Sequence, residues 1–206
     1  MKFKNKNPKF TLSGLDKVFL ILLILLGLFG TGLGLYLVDY HDKLTTGEDF
    51  EQIIPCDITS AFNCESVQTS KYSEFLGIPI AFFGALFYFT VFLLALTAFK
   101  TERTKTNLII IIVMGILSVL YSLFLYYIAR YVIGALCLYC LIMYGLNLSI
   151  LVFSFLIWGY HPKYLPSEII KITQNSSKMW KEPRLEWRFW LLITLYVVSV
   201  LYMFFR

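Results

Sequence analysis

The chain has 206 residues, of which 58% are hydrophobic, a mean hydropathy of +0.71 and a formal net charge of +5. Its apolar residues form continuous blocks rather than an amphipathic pattern, which excludes an ordinary soluble domain and indicates an integral membrane protein in a lipid bilayer. The basic residues lie beside the ends of these blocks, where they act as topology signals and interface anchors, so the net charge does not call for a nucleic-acid partner.

Five apolar blocks are long enough to cross about 30 Å of hydrocarbon as helices rising about 1.5 Å per residue. They cover residues 18–38, 80–99, 108–128, 131–158 and 189–205. We therefore predict an all-α integral membrane fold, with a four-helix transmembrane bundle and a fifth transmembrane helix. Residues 1–160 form the predicted four-helix core, with the outer loop 39–77; residues 161–188 form a cytoplasmic connecting segment and 189–206 the fifth helix.

The first block is too long for a cleaved signal sequence and is interpreted as a retained signal anchor. Gly30 and Gly34 within it form a G-x-x-x-G pattern, which is typical of close helix packing. Most of the 18 lysines and arginines precede this block, or lie in the second-to-third loop and in the segment before the fifth block. The positive-inside rule then predicts a cytoplasmic N-terminus and an outward-facing loop over residues 39–77.

The predicted outer loop is acidic and contains Cys56 and Cys64. A loop of this length is uncommon in a compact domain unless it is functional. The segment between the two cysteines is short enough for a disulfide to close and flexible enough to swing. A static disulfide that staples the loop is the structural alternative. We also predict a tight turn at residues 129–131, which makes the third and fourth helices antiparallel neighbours and brings the start of the fourth beside this loop.

The fourth block contains the other two cysteines, Cys137 and Cys140, as a C-x-x-C motif. We expect them in the first turns of the helix, where unpaired backbone N–H groups and the positive helix end favour a thiolate. Cys137, Cys140, Tyr144 and Asn147 follow one another at i, i+3, i+7 and i+10, so they share one helix face.

A face with two sulfurs, a phenol and an amide suits a quinone, which needs an apolar slot, a donor to its carbonyl and a reactive thiolate. Alternatively, Tyr144 and Asn147 only pack helices together. A zinc site of four thiolates is disfavoured by the spacing of the loop pair. His41 and His161 lie on opposite predicted sides, which argues against a histidine metal cluster or a Cys-His hydrolase. We expect no metal.

These motifs together resemble the vitamin K epoxide reductase family. The resemblance covers the loop 56–70, the run 75–88 and the segment 137–147. The family loop C-D-x6-C matches Cys56, Asp57 and Cys64, and its later serine or threonine matches Ser70. The helix pattern C-x-x-C-x3-Y-x2-N matches Cys137, Cys140, Tyr144 and Asn147.

The resemblance implies a role for each cysteine. Cys56 would exchange with a thioredoxin-like partner, and Cys64 would form a transient disulfide with Cys137. Cys140 would react with the quinone, with Tyr144 as hydrogen-bond donor. Two features depart from the family pattern. Ile80 stands where many members have an asparagine that contacts the quinone. Bacterial relatives often have a thioredoxin-like domain after the fifth helix, which this sequence lacks, so we expect a separate partner.

The leading hypothesis is a thiol oxidase of the bacterial inner membrane, with its cysteines on the outer face and ubiquinone or menaquinone as electron acceptor. It would reoxidise its partner to drive disulfide-bond formation. One alternative is reduction of vitamin K epoxide or quinone in an endoplasmic reticulum membrane through the same residues. Another is a non-catalytic membrane protein with two structural disulfides.

Overall fold

A computed structural model describes residues 13–47, 56, 59, 61–100 and 104–159 of the chain. Its elements follow in chain order: α1 (Gly14–Thr46), α2 (Cys64–Gln68), β1 (Glu74–Phe75), β2 (Ile78–Pro79), α3 (Ile80–Lys100), α4 (Thr104–Tyr127), a π-helical segment (Ile128–Ile133) and α5 (Leu138–Gly159). The strands form one antiparallel hairpin, with Phe75 opposite Ile78.

Four helices of the described part are long and apolar enough to cross a membrane: Gly14–Thr46, Ile80–Phe99, Thr106–Ile133 and Leu138–Gly159. The predicted all-α integral membrane fold is therefore confirmed. The predicted connecting segment 161–188 and the predicted fifth helix at 189–206 fall outside the described residues. The cytoplasmic position of the N-terminus stays a prediction.

Helix α1 begins with a capping box and ends beyond the first apolar block. The Ser13 backbone N–H donates to Asp16 Oδ2 at 2.8 Å, and the Asp16 N–H donates to Ser13 Oγ at 3.2 Å. Two groups left unpaired by the first helical turn are thus satisfied. At the other end the helix continues to Thr46, and Gly47 closes it with a φ of 75°. The prediction that the outer loop begins at residue 39 is wrong, because the polar residues 39–46 extend the helix.

Helices α1 and α3 pack closely along a row of glycines. A Cβ added to Gly27 would lie 2.8 Å from the Phe92 backbone nitrogen, and one added to Gly34 would lie 2.9 Å from Ala85 Cβ. A Cβ added to Gly30 would overlap the ring of Tyr88. The G-x-x-x-G pattern therefore serves helix packing, as the sequence predicts.

The tight turn predicted at residues 129–131 is wrong. Helix α4 passes into the π-helical segment, which ends at Gly134 with a φ of 80°. The Gly134 and Ala135 N–H groups both donate to the Ala129 carbonyl, at 2.9 and 3.1 Å. The exposed Arg130 does not break the helix, since a long cationic side chain can reach the interface from a helix end. Gly134 is the first residue after α4 that adopts a left-handed backbone conformation without steric cost.

Substitution of Gly30 by alanine is expected to destabilise the protein by about 1–3 kcal/mol, because the new methyl group overlaps a ring that is fully buried. Gly32 is a matched control in the same helix, since nothing lies within 4 Å of its added Cβ. Thermal unfolding of both variants in detergent micelles measures the difference. Equal unfolding midpoints for Gly30→Ala and Gly32→Ala would contradict the packing described here.

Candidate functional site

A short backbone pairing holds the cysteine loop against the entrance of α5. Phe62 forms a parallel bridge with Leu136. The Asn63 N–H donates to the Leu136 carbonyl at 3.0 Å, and the Leu136 N–H donates to the Ala61 carbonyl at 2.8 Å. The residue after each side of this pairing is a cysteine, Cys64 on the loop and Cys137 on the helix side. The pairing therefore sets these two residues side by side.

Helix α2 begins at Cys64 because Asn63 caps it. The Asn63 side-chain oxygen accepts a hydrogen bond from the Ser66 N–H at 2.6 Å. Asparagine is among the preferred N-cap residues, since it satisfies an N–H that has no partner inside the helix. Asn63 therefore contributes to the site twice, through its backbone to the pairing with Leu136 and through its side chain to the helix that begins at Cys64.

Three of the four sulfurs form one buried cluster. Cys56 and Cys64 are joined in a disulfide, and Cys137 and Cys140 are free thiols. The Cys64 and Cys137 sulfurs are 3.0 Å apart, and the three sulfurs of Cys56, Cys64 and Cys137 lie within 4.8 Å of one another. The exposed fractions of these residues are 0%, 0% and 2%. Thiol–disulfide exchange between the pairs thus needs little backbone motion.

The start of α5 directs backbone N–H groups at two of these sulfurs. The Leu138 N–H donates to Cys56 Sγ at 3.3 Å, and the Cys140 N–H donates to Cys137 Sγ at 3.4 Å. The first N–H groups of a helix have no partner inside it and carry partial positive charge. They therefore stabilise negative charge on an attacking or departing sulfur.

The disulfide also bears on the predicted absence of a metal. Three cysteine sulfurs at these distances are a possible ligand set for a thiophilic metal. Metal coordination by cysteine needs thiolates, however, and two of the three sulfurs share a covalent bond in this state. The cluster in this redox state is suited to sulfur exchange.

A cavity lies next to the sulfur cluster and is walled by α3, α4 and α5. The volume open to the centre of a water molecule inside this cavity is about 120 Å³. A single water needs roughly one tenth of that volume, so the cavity can take an organic ring. Most of its wall is apolar. The sequence-predicted residues among its lining are Ser70, Ile80, Cys137, Cys140, Tyr144 and Asn147.

The sequence-predicted residues therefore fall into two adjoining groups. Cys56 and Cys64 belong to the sulfur cluster, and Cys140, Tyr144 and Asn147 belong to the cavity. Cys137 belongs to both and connects them. Ser70 lies at the cavity wall, and its hydroxyl donates to the Val67 carbonyl at 2.8 Å. Asp57 lies outside the described residues.

Sequence reasoning missed the partners of Asn147. Its Nδ2 donates to Ser122 Oγ at 2.8 Å, and the Ser122 hydroxyl donates to the Ser118 carbonyl at 2.9 Å. Both serines line the cavity. Their spacing of four places them on one face of an apolar helix, which is the signal that could have identified them.

Two tyrosine contacts that were also missed hold α5 in place. The Tyr88 hydroxyl donates to the Met143 carbonyl at 2.8 Å. On another side of the helix, the Tyr36 and Tyr139 hydroxyls are 3.1 Å apart. Tyr139 lies inside the C-x-x-C motif, so its contact with α1 fixes the orientation of the helix start. Tyr88 lies within the aromatic run 75–88 of the family resemblance, whereas Tyr36 has no comparable sequence signal.

His41, which served in the sequence only to argue against a metal cluster, ties α1 to the outer layer. Its Nδ1 is 2.8 Å from the Gln68 carbonyl oxygen, and its Nε2 is 3.0 Å from Glu74 Oε1. These partners end α2 and begin the hairpin. His41 therefore anchors both ends of the segment that follows Cys64.

Comparison with known proteins gives consistent matches. The family model described as "Vitamin K epoxide reductase family" matches residues 21–155. The chain is similar to "Vitamin K epoxide reductase complex subunit 1" of Mus musculus, with 26% identity over 146 residues, 65% of this chain and 88% of that protein. Its similarity to the Rattus norvegicus protein of the same name is 26% over 141 residues, 62% of this chain and 83% of that protein. The matched region includes all four cysteines.

Engineered cysteine pairs test the geometry of the sulfur cluster. A chain with Cys56→Ser and Cys140→Ser retains Cys64 and Cys137, whose sulfurs are 3.0 Å apart, so we expect it to oxidise rapidly to an internal disulfide. A chain with Cys64→Ser and Cys137→Ser is the matched control, because it retains Cys140, which lies outside the cluster. The gel shift after labelling with a polymeric maleimide measures the free thiols. Faster oxidation of the control pair would contradict the geometry.

Proposed function

The chain belongs to the vitamin K epoxide reductase family, and from this premise we propose that it is a quinone-linked thiol oxidoreductase. Membership makes it an oxidoreductase with a redox function of the vitamin K epoxide reductase type, and enzymes of this family use quinones or vitamin K. The proposed reaction oxidises a thioredoxin-like protein outside the membrane and reduces a membrane quinone. One observation carries it: Cys137 lies 3.0 Å from the loop disulfide and also lines the cavity that holds Cys140.

Electrons enter at the loop. In the proposed step Cys56, which is buried in the state described above, first becomes exposed to the partner. A thiolate of the partner then attacks Cys56, the Cys56–Cys64 bond breaks, and Cys64 leaves as a thiolate. The second thiol of the partner then attacks the mixed disulfide and releases Cys56. The partner is now oxidised, and the loop pair has gained two electrons.

The relay then passes these electrons to the C-x-x-C motif. The Cys64 thiolate attacks Cys137 in a Cys137–Cys140 disulfide, and Cys140 leaves. Cys56 next attacks Cys64, which restores the loop disulfide and releases Cys137. The product of this step has a loop disulfide and two free thiols beside the cavity, and this is the redox state described above. The short distance between Cys64 and Cys137 supports the transfer.

The quinone is reduced in the cavity. Cys140 is half-buried at the wall, and Tyr144 lies one helical turn below it. In the proposed step the Tyr144 hydroxyl donates to a quinone carbonyl, and the Cys140 thiolate delivers the electron pair. Cys137 and Cys140 close a disulfide, and the quinone takes up two electrons and two protons to become a hydroquinone. Ile80 adds apolar wall where many relatives have an asparagine.

The proposed setting is a bacterial inner membrane with the cysteines on its outer face. The quinone is ubiquinone or menaquinone, and the partner is a separate thioredoxin-like protein. The asymmetric distribution of lysine and arginine supports this orientation.

Reduction of a vitamin K epoxide is the second candidate, since the relatives from mouse and rat have that activity in their names. It would use the same four sulfurs and the same cavity. Supplying vitamin K epoxide to membranes that contain the chain tests this candidate directly. The hypothesis of a non-catalytic membrane protein with two structural disulfides is less well supported, because Cys137 and Cys140 are free thiols.

The Cys140→Ser variant is expected to lose quinone reduction by a factor of at least about 10³, since a serine cannot complete the disulfide that supplies the electrons. The measurement follows quinone absorbance with a reduced thioredoxin-like protein as donor. Ser149→Ala, in the same helix but outside the cavity lining, is the control and should keep full activity. Undiminished turnover in Cys140→Ser would refute the proposed role of Cys140.

The Cys64→Ala variant is expected to trap the partner. Without Cys64, Cys56 is a free thiol that attacks the disulfide of the oxidised partner, which breaks and releases one partner thiol. The resulting mixed disulfide accumulates because no Cys64 thiolate is present to displace the partner. Non-reducing gels followed by mass spectrometry identify the captured protein. The double variant Cys64→Ala, Cys56→Ala is the control and should capture nothing. Capture that persists in the double variant would show that Cys56 is not the entry point.

A further inference from the structure

We propose that Asn147 is a binding residue for the reduced form of the quinone, and that its side-chain carbonyl accepts a hydrogen bond from a hydroquinone hydroxyl. This inference rests on the proposed function, since it takes the cavity as the quinone site. It goes further by assigning a preference between the two redox forms of the same ligand.

The first observation is a buried acceptor without a donor. Asn147 Oδ1 is buried and has no hydrogen-bond partner among the described residues, whereas Nδ2 of the same amide donates to Ser122. An unpaired carbonyl at membrane depth costs free energy that a donor would recover. Because Asn147 lines the cavity, a ligand there can supply that donor.

The second observation fixes the orientation of the amide. The Ser122 hydroxyl has one proton and donates it to the Ser118 carbonyl at 2.9 Å. Ser122 Oγ can therefore only accept from Asn147, so the NH₂ group faces the serine. Rotating the amide by half a turn would set two acceptors against each other. The serine pair thus makes Asn147 an acceptor toward a ligand.

An acceptor distinguishes the two forms of a quinone. The oxidised ring has carbonyl oxygens, which only accept hydrogen bonds, so it leaves Oδ1 unsatisfied. The hydroquinone has two hydroxyl groups, and either can donate to Oδ1. A site that binds the hydroquinone more tightly makes the bound quinone a stronger oxidant, because binding and reduction are linked. Tyr144, as a donor, would serve the oxidised form, and Asn147 would serve the reduced form.

The bound reaction balances without a further reactant. The thiols of Cys137 and Cys140 supply two electrons and two protons, a disulfide forms between them, and the quinone becomes the hydroquinone. The hydroxyl that donates to Asn147 exists only after this step. The interaction therefore favours the product side of the reaction inside the cavity.

Binding is measured on the full chain in lipid nanodiscs under anaerobic conditions, with ubiquinone-1 and ubiquinol-1 as probes and empty nanodiscs as the blank. All variants carry Cys140→Ser so that no electron transfer changes the probe. We expect Asn147→Leu to weaken ubiquinol-1 binding about tenfold, the scale of one hydrogen bond, and to leave ubiquinone-1 binding unchanged. Equal losses for both probes, or no loss for either, would overturn the proposal.

Ser122→Ala is the second variant and changes no group that contacts the ligand in this proposal. Without the serine hydroxyl the amide can turn and offer Nδ2 to a quinone carbonyl, so the preference for ubiquinol-1 over ubiquinone-1 should fall by several-fold. An unchanged preference would count against the proposal. If Cys140→Ser alone retained quinone turnover, the proposed function would fail. If turnover were lost as expected but redox preference did not depend on Asn147, only this inference would fail.

Discussion

The backbone pairing of Ala61 and Asn63 with Leu136 is the interaction on which the site depends. Two hydrogen bonds, of 2.8 and 3.0 Å, join a loop to the segment that enters α5. The next residue on each side is a cysteine, so the pairing determines the distance between the two sulfur pairs. Because the contact uses backbone atoms, it does not depend on the identity of the side chains at these positions. It leaves the side chains free for exchange chemistry.

The surroundings of the pairing divide the site into two environments. Above, the sulfur cluster is almost fully excluded from solvent and receives N–H donors from the start of α5. Below, the cavity is mostly apolar, and its polar groups are hydroxyls and one amide. The N–H donors can thus stabilise negative charge on sulfur, while the apolar cavity is suited to a neutral ring. Cys137 contacts both environments, which is the structural requirement for a relay.

Helix α5 can serve this purpose because other helices hold it on several sides. Tyr88 of α3 donates to its backbone, Ser122 of α4 contacts Asn147, and Tyr36 of α1 contacts Tyr139. Glycines of α1 let α3 approach closely enough for this arrangement. At the outer end, His41 connects α1 to the segment that follows Cys64. Hydrogen bonds and close packing therefore join the helices and the cysteine loop into one packed structure around the sulfurs.

The sequence by itself determined the features that depend only on residues close together in the chain, namely the helices and their faces. Long apolar runs must form helices in lipid, since the backbone has no other way to satisfy its polar groups, and helical geometry alone places Cys140, Tyr144 and Asn147 on one face. Helix ends were less well determined: the turn lies at Gly134, where it depends on a backbone angle, and not at the predicted residues 129–131. The family resemblance implied that Cys64 meets Cys137, and the tertiary structure supplied the distance between their sulfurs. Only the tertiary structure decided the orientation of the Asn147 amide by Ser122 and the anchoring by His41. Each of these joins residues far apart in the chain, and no local pattern encodes such a distance.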